Sequence, residues 1–166
     1  PCGEKSEDFC FGRGIFYKLK KETDASMKIG FLGAGNMVGA ILCAIADKEP
    51  FETAVYEKSA EKARRMADKT GCAVMSSVEE LLAFADVVLI AVKPIHIDPL
   101  LREIVNCKDY ASKVYVSIAA GVKIERFTKV LGEISIVRTM PNLPAMVREG
   151  FTGIYYYNMN EERFSE

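Results

Sequence analysis

The chain has 166 residues, 49% hydrophobic and 27% charged, with 22 basic against 23 acidic side chains, which is ordinary globular composition with room for one full core unaided by metals or disulfides. A net charge of −1 excludes the basic excess that marks a nucleic-acid footprint, so neither nucleic acid nor a membrane surface is expected as a partner. The five cysteines, Cys2, Cys10, Cys43, Cys72 and Cys107, are odd in number and form no C-x-x-C pair; they read as free thiols of a cytoplasmic protein without a metal site.

Residues 1–26 open on Pro1 and show no period of 2 or 3.6, so they are expected to be a poorly ordered N-terminal extension, with the domain starting at Met27. Ile29 to Ala46 is an 18-residue stretch without a charge, close to the lower limit for a membrane span. Gly30, Gly33, Gly35, Asn36 and Gly39 interrupt it, and a strand, a tight turn and a buried helix account for the same residues. Strands are expected near 28–32, 53–57, 72–75, 86–92, 114–118, 134–138 and 151–156, with helices near 36–48, 59–69, 77–84, 97–105 and 123–131. Ser59 and Ser77 open capping-box starts, and Cys43 is expected to pack on the apolar side of the first helix. This alternation is the signature of an α/β fold of Rossmann type, a doubly wound, mostly parallel sheet with helices on both faces. The dinucleotide-binding domain is expected over 27–160, with 161–166 beginning a further helix that is cut short.

The run from Lys28 to Gly39 is a strand entering a glycine turn that opens a helix, which is dinucleotide context. Gly33 allows the turn, Gly35 lets the backbone approach a pyrophosphate, and the amides of the helix from Asn36 meet its charge. Val38 stands at the third fingerprint position, where Gly or Ala is usual, with Gly39 beside it. Glu57 follows at the end of the second expected strand, where a carboxylate accepts the hydroxyls of the adenosine ribose. The same carboxylate opposes a 2′-phosphate, since like unit charges ~4 Å apart at an effective dielectric of ~20 cost about 4 kcal/mol before relaxation. Lys58 and Ser59 are placed to hold that phosphate if Glu57 turns outward, so both NADH and NADPH remain open.

Three further stretches end strands: Ala91-Val92-Lys93-Pro94, Ser117-Ile118-Ala119-Ala120-Gly121, and Arg138-Thr139-Met140-Pro141-Asn142 continuing to Pro144. Together with the glycine turn they resemble pyrroline-5-carboxylate reductase, in order and spacing, from residue 27 to about 166. The resemblance implies NADPH- or NADH-dependent reduction of 1-pyrroline-5-carboxylate to L-proline, the last step of proline biosynthesis. It implies that Leu32, Gly33, Ala34, Gly35, Asn36 and Met37 hold the pyrophosphate. Ala91, Val92, Lys93, Pro94, Ala119, Ala120 and Gly121 would line the nicotinamide side, with Lys93 and Asn142 toward the substrate. The catalytic residue itself is not assigned. The family's all-helical second domain, which forms its homo-oligomer and completes its substrate pocket, is expected beyond this chain, so the chain alone is expected to be inactive. The family often has an asparagine near Val78, and Asn-Arg or serine-rich residues where Glu57 and Lys58 stand.

Two other functions remain beside this one: a stand-alone dinucleotide-binding module without catalysis, and a related two-domain reductase of 2-keto or 3-hydroxy acids. His96, the single histidine, reads as a solvated loop residue, Arg138 as the partner of an acid below the sheet end, and Tyr155 to Tyr157 as one strand near the sheet edge.

Overall fold

The computed structural model describes residues 26–45, 51–141 and 152–157. The expected extension, the stretch from Asn142 to Phe151 and the expected C-terminal helix lie outside them. Seven strands form one sheet: β1 (Met27–Leu32), β2 (Phe51–Tyr56), β3 (Ala73–Val74), β4 (Val87–Ile90), β5 (Val114–Ser117), β6 (Ser135–Pro141) and β7 (Thr152–Tyr157). The helices between them are α1 (Asn36–Ile45), α2 (Ala60–Thr70), α3 (Val78–Phe84), α4 (Ile97–Ile104) and α5 (Ile124–Leu131), with single 3₁₀ turns at Pro94–His96 and Tyr110–Ser112.

The strand order is β3-β2-β1-β4-β5-β6-β7. The first six run parallel, and β7 returns antiparallel to β6 with Tyr157 beside Ile136 and Thr152 beside Pro141. This is the doubly wound Rossmann arrangement read from the alternation. Progression runs one way from β1 to β3 and the other from β4 onward, so β1 and β4 flank the topological switch point.

Helices α3, α4 and α5 cover one face through Leu81, Leu82, Leu101, Ile104 and Phe127, against Leu32, Val88, Ile90, Tyr115 and Ile136. Helix α1 covers the other through Val38, Ile41, Leu42 and Ile45, against Ile29, Phe31, Val55 and Leu89. Strands β1 and β4 are buried nearly throughout, which is why they read as continuous apolar runs. Gly30 sets the approach of α3: a β-carbon there would lie 2.6 Å from Leu81 Cδ2 and 2.9 Å from the Ala85 β-carbon.

The described part of the uncharged stretch, 29–45, is thus divided among β1, the glycine turn and α1, and among the described residues no helix is long and apolar enough to cross a membrane. Val38 is fully buried in the α1 core, so a larger side chain at the third fingerprint position is accommodated by packing. Val78 is also a core residue, the first of α3. Cys43 corrects the expectation made for it. It is exposed, whereas Cys72 and Cys107 are buried. It follows exposed Asn36 by seven residues, two helical turns, while Val38, Ile41, Leu42 and Ile45 form the inward stripe.

Candidate functional site

A cleft of about 910 Å³ opens at the carboxyl ends of β1, β2 and β4. Its floor is the glycine turn. The Gly33 amide donates to the Tyr56 carbonyl (2.8 Å) and the Ala91 amide to the Leu32 carbonyl (2.9 Å), so the turn leaves the sheet between β2 and β4. Gly33 has φ +109°, and a β-carbon on it would stand 3.1 Å from the Ala91 carbonyl oxygen. At Gly35 a β-carbon would meet nothing within 4 Å. The space over Gly35 is therefore open, with the first turn of α1 behind it. That turn carries no acid, and its leading amides lack intrahelical acceptors, so it presents free N–H donors and the positive end of the helix dipole.

Glu57 is half-buried in the wall of the cleft. Its Oε2 accepts the Ala34 amide at 3.1 Å and its Oε1 the Ser59 amide at 3.3 Å. The carboxylate thereby ties the glycine turn to the start of α2 and faces inward. Ser59 is the N-cap of α2, its Oγ accepting the Lys62 amide, and Glu57 fills the reciprocal role that a capping box gives to a residue inside the helix. At α3 the reciprocal bond is displaced: Ser77 Oγ accepts the Glu80 amide, but the Glu80 carboxylate accepts from the amide and hydroxyl of Ser76. Those two bonds hold the Glu80 carboxyl below the usual carboxylate range.

Of the expected site residues, Leu32, Gly33, Ala34, Gly35, Asn36, Glu57, Lys58, Ala91, Val92 and Lys93 are brought together around this cleft. Met37 packs toward the α1 core instead. Ser59 contributes its amide to Glu57, and Pro94 begins the exposed 3₁₀ turn. Ala119, Ala120 and Gly121 follow β5 outside the cleft walls, with Gly121 bordering a separate shallow depression beside Lys123, Arg126 and Lys129. Asn142 lies outside the described residues. Among the described residues Arg138 forms no ion pair, and its Nε is buried without a hydrogen-bond partner.

The cleft also has walls that were not expected. Lys62, Arg65, Met66 and Lys69 of α2 all face it, at the i, i+3, i+4, i+7 spacing of one helical stripe. Arg65 pairs with Glu61 one turn back, and Lys58 reaches Glu103 of α4 at 3.3 Å. His96, Pro99 and Leu100 form the opposite rim, with His96 exposed. The stripe was legible as a pattern; what hid it was that charges at helical spacing usually mark a solvated face.

The family model described as NADP oxidoreductase, coenzyme F420-dependent, matches residues 28–121, from β1 through the loop after β5. The chain belongs to this family. Within it, the chain is 39% identical over 131 residues to pyrroline-5-carboxylate reductase of Escherichia coli (strain K12), covering 76% of this chain and 48% of that protein. It is 36% identical over 143 residues to that of Aquifex aeolicus (strain VF5), covering 85% and 52%. Among solved structures, a pyrroline-5-carboxylate reductase from Coxiella burnetii superposes with a TM-score of 0.74 at 30% identity, over 84% of this chain and 53% of that one. The Plasmodium falciparum pyrroline carboxylate reductase with NADP bound gives 0.68 at 31% identity, over 83% and 51%. The resemblance read from the strand-end motifs is borne out, and the chain spans about half the length of the curated relatives it matches.

Proposed function

We propose that this member of the NADP oxidoreductase family is the cofactor-binding half of a pyrroline-5-carboxylate reductase. The observation that carries the proposal is the open space over Gly35 at the sheet's switch point, backed by the first turn of α1 and walled by an inward-facing carboxylate. These residues fit a dinucleotide. The amides from Gly35 into α1 would take the pyrophosphate, Glu57 the adenosine ribose, and Ala91 to Lys93 the nicotinamide side. Ala119 to Gly121, on the nicotinamide side, and Asn142, toward the substrate, are assigned to the end of the site that the second half of the protein would complete.

Held there, a reduced nicotinamide would supply the hydride for the C=N carbon of the cyclic imine, whose reduction gives L-proline. This chain's own part is positional. Gly33 and Ala91 hold the turn against the sheet, which would fix a bound cofactor relative to the strand termini. Lys93, exposed at the mouth, offers a cation where the imine's carboxylate approaches. An imine that arrives protonated needs no strong acid, and alignment with exclusion of water supplies most of the acceleration. The whole protein is assigned to the cytoplasm as a homo-oligomer held by its second half.

Calorimetric titration with NADH and NADPH, followed by 1-pyrroline-5-carboxylate-dependent oxidation of the reduced cofactor by the full-length protein, tests the proposal. Saturable binding of at least one cofactor, and oxidation that 2-keto acids do not replace, is the expected result. Binding without any imine-dependent oxidation would leave a dinucleotide-binding module and sink the reductase.

A further inference from the structure

We propose that Glu57 makes this site select NADH over NADPH, and that the basic stripe of α2 is a 2′-phosphate cradle closed by that one carboxylate. The inference rests on the dinucleotide reading above and concerns only its adenosine end.

A 2′-phosphate needs donors and cations; a 2′-hydroxyl needs an acceptor. Two backbone donors beside the end of β2, the amides of Ala34 and Ser59, are both taken by Glu57. An ionised carboxylate has about four acceptor positions, so the two amide bonds leave others free for a ribose diol. The alternative in which Glu57 turns outward and frees Lys58 and Ser59 would break both amide bonds. Lys58 is itself drawn toward Glu103. The local chemistry at this corner is therefore acceptor chemistry with a negative charge.

The surroundings have the opposite sign. Lys62, Arg65 and Lys69 line the same cleft, and neither Lys62 nor Lys69 pairs with an acid among the described residues. Such a field attracts the pyrophosphate of either cofactor and would pull harder on the additional phosphate of NADPH, so by itself it works against a preference for NADH. Discrimination falls to the group in contact with the ribose, where a like charge opposes the phosphate directly. With the carboxylate removed, two free amides and the flanking cations would remain, which is a phosphate site.

The test is calorimetric titration of the protein, its Glu57→Ser variant and its Glu57→Gln variant with NADH and with NADPH, without turnover. The unaltered protein is expected to bind NADH more tightly, by about tenfold. Glu57→Ser should invert the order. Glu57→Gln keeps the side chain's length and an acceptor for the Ala34 amide, so it guards against a folding defect and should still move the ratio toward NADPH. In the Glu57→Ser background, Lys62→Met with Lys69→Met should abolish the gain in NADPH affinity. Saturable binding with NADPH equal or preferred in the unaltered protein, or an unchanged ratio in folded Glu57→Gln, overturns this inference and leaves the dinucleotide reading standing. Failure of both cofactors to bind the folded protein overturns the two together.

Discussion

Gly33 stands against Ala91 so closely that a β-carbon on it would lie 3.1 Å from the Ala91 carbonyl oxygen, in a backbone conformation of φ +109° that side chains rarely adopt. Gly35, two residues on, has open space where its β-carbon would be. The two glycines of the turn therefore do different work, and alanine separates them. Gly33→Ala should cost about 1–3 kcal/mol of stability. Gly35→Ala should change stability by less than about 0.5 kcal/mol while weakening dinucleotide binding, because the methyl group occupies the cofactor's side of the turn. Urea unfolding beside calorimetry on each variant checks this. Equal stability losses in the two variants would contradict it.

Gly30 is a packing glycine. With Leu81 Cδ2 at 2.6 Å from a built β-carbon and the Ala85 β-carbon at 2.9 Å, Gly30→Ala must push α3 off the sheet, at an expected cost of about 1–3 kcal/mol. Leu81→Ala in the same chain should recover part of the loss if the clash is its cause, a coupling that a double-mutant cycle measures. Strictly additive losses would place the cause elsewhere.

The thiols differ in reach. Cys43 is exposed, while burial pushes the thiols of Cys72 and Cys107 up from their ordinary value, and Cys107 Sγ also donates to the Glu103 carbonyl. Under limiting iodoacetamide near neutral pH, Cys43 should be alkylated more than about tenfold faster than either. Peptide mass spectrometry reads the order directly, and early labelling of Cys72 would mean that the β3 edge opens.

Asp98 and Arg126 join α4 to α5 through bonds of 2.8 and 2.9 Å. The Arg126 guanidinium holds the Asp98 carboxyl below its ordinary value. A carboxyl lowered in the folded state adds stability above its unfolded pKa of about 4, and that contribution is lost as pH falls through the lower folded value. Asp98→Asn should thus lower the melting temperature slightly at pH 7, and the gap should close in acid. The pair is solvent-exposed, so the effect is small, and a gap that persists at pH 2 would point to lost helix packing instead.

Much of the fold was legible because buried parallel strands leave unbroken apolar runs: 28–32 and 114–118 were read within a residue of β1 and β5. The run 86–92 was read two residues too far, because Ala91 and Val92 remain apolar while leaving the ladder to wall the cleft. The reversed direction of β7 had no local signature, since direction is set by the connection and not by the strand. At the site, Glu57 was legible from its spacing after the glycines. Its bonds to Ala34 and Ser59 were not, because they join segments that only the closed sheet brings together. Lys62, Arg65 and Lys69 drew no functional reading from the sequence for the same reason: the wall opposite them is built from the end of β4 and from α4.

That β1 lies between β2 and β4 also bears on how the protein acquires its site. Lys28 and Asp86, 58 positions apart, exchange bonds at the amino ends of their strands, the Lys28 amide donating to Asp86 Oδ2 and the Asp86 amide to the Lys28 carbonyl. A chain must close that long loop before the two walls of the cleft face each other, and non-local pairing of this kind is slow. A nascent or partly unfolded molecule therefore has no binding site to offer. Ligand added at about 100 times its dissociation constant should contribute about 2.7 kcal/mol to the cooperative unit as a whole, retarding proteolysis at places far from where it sits.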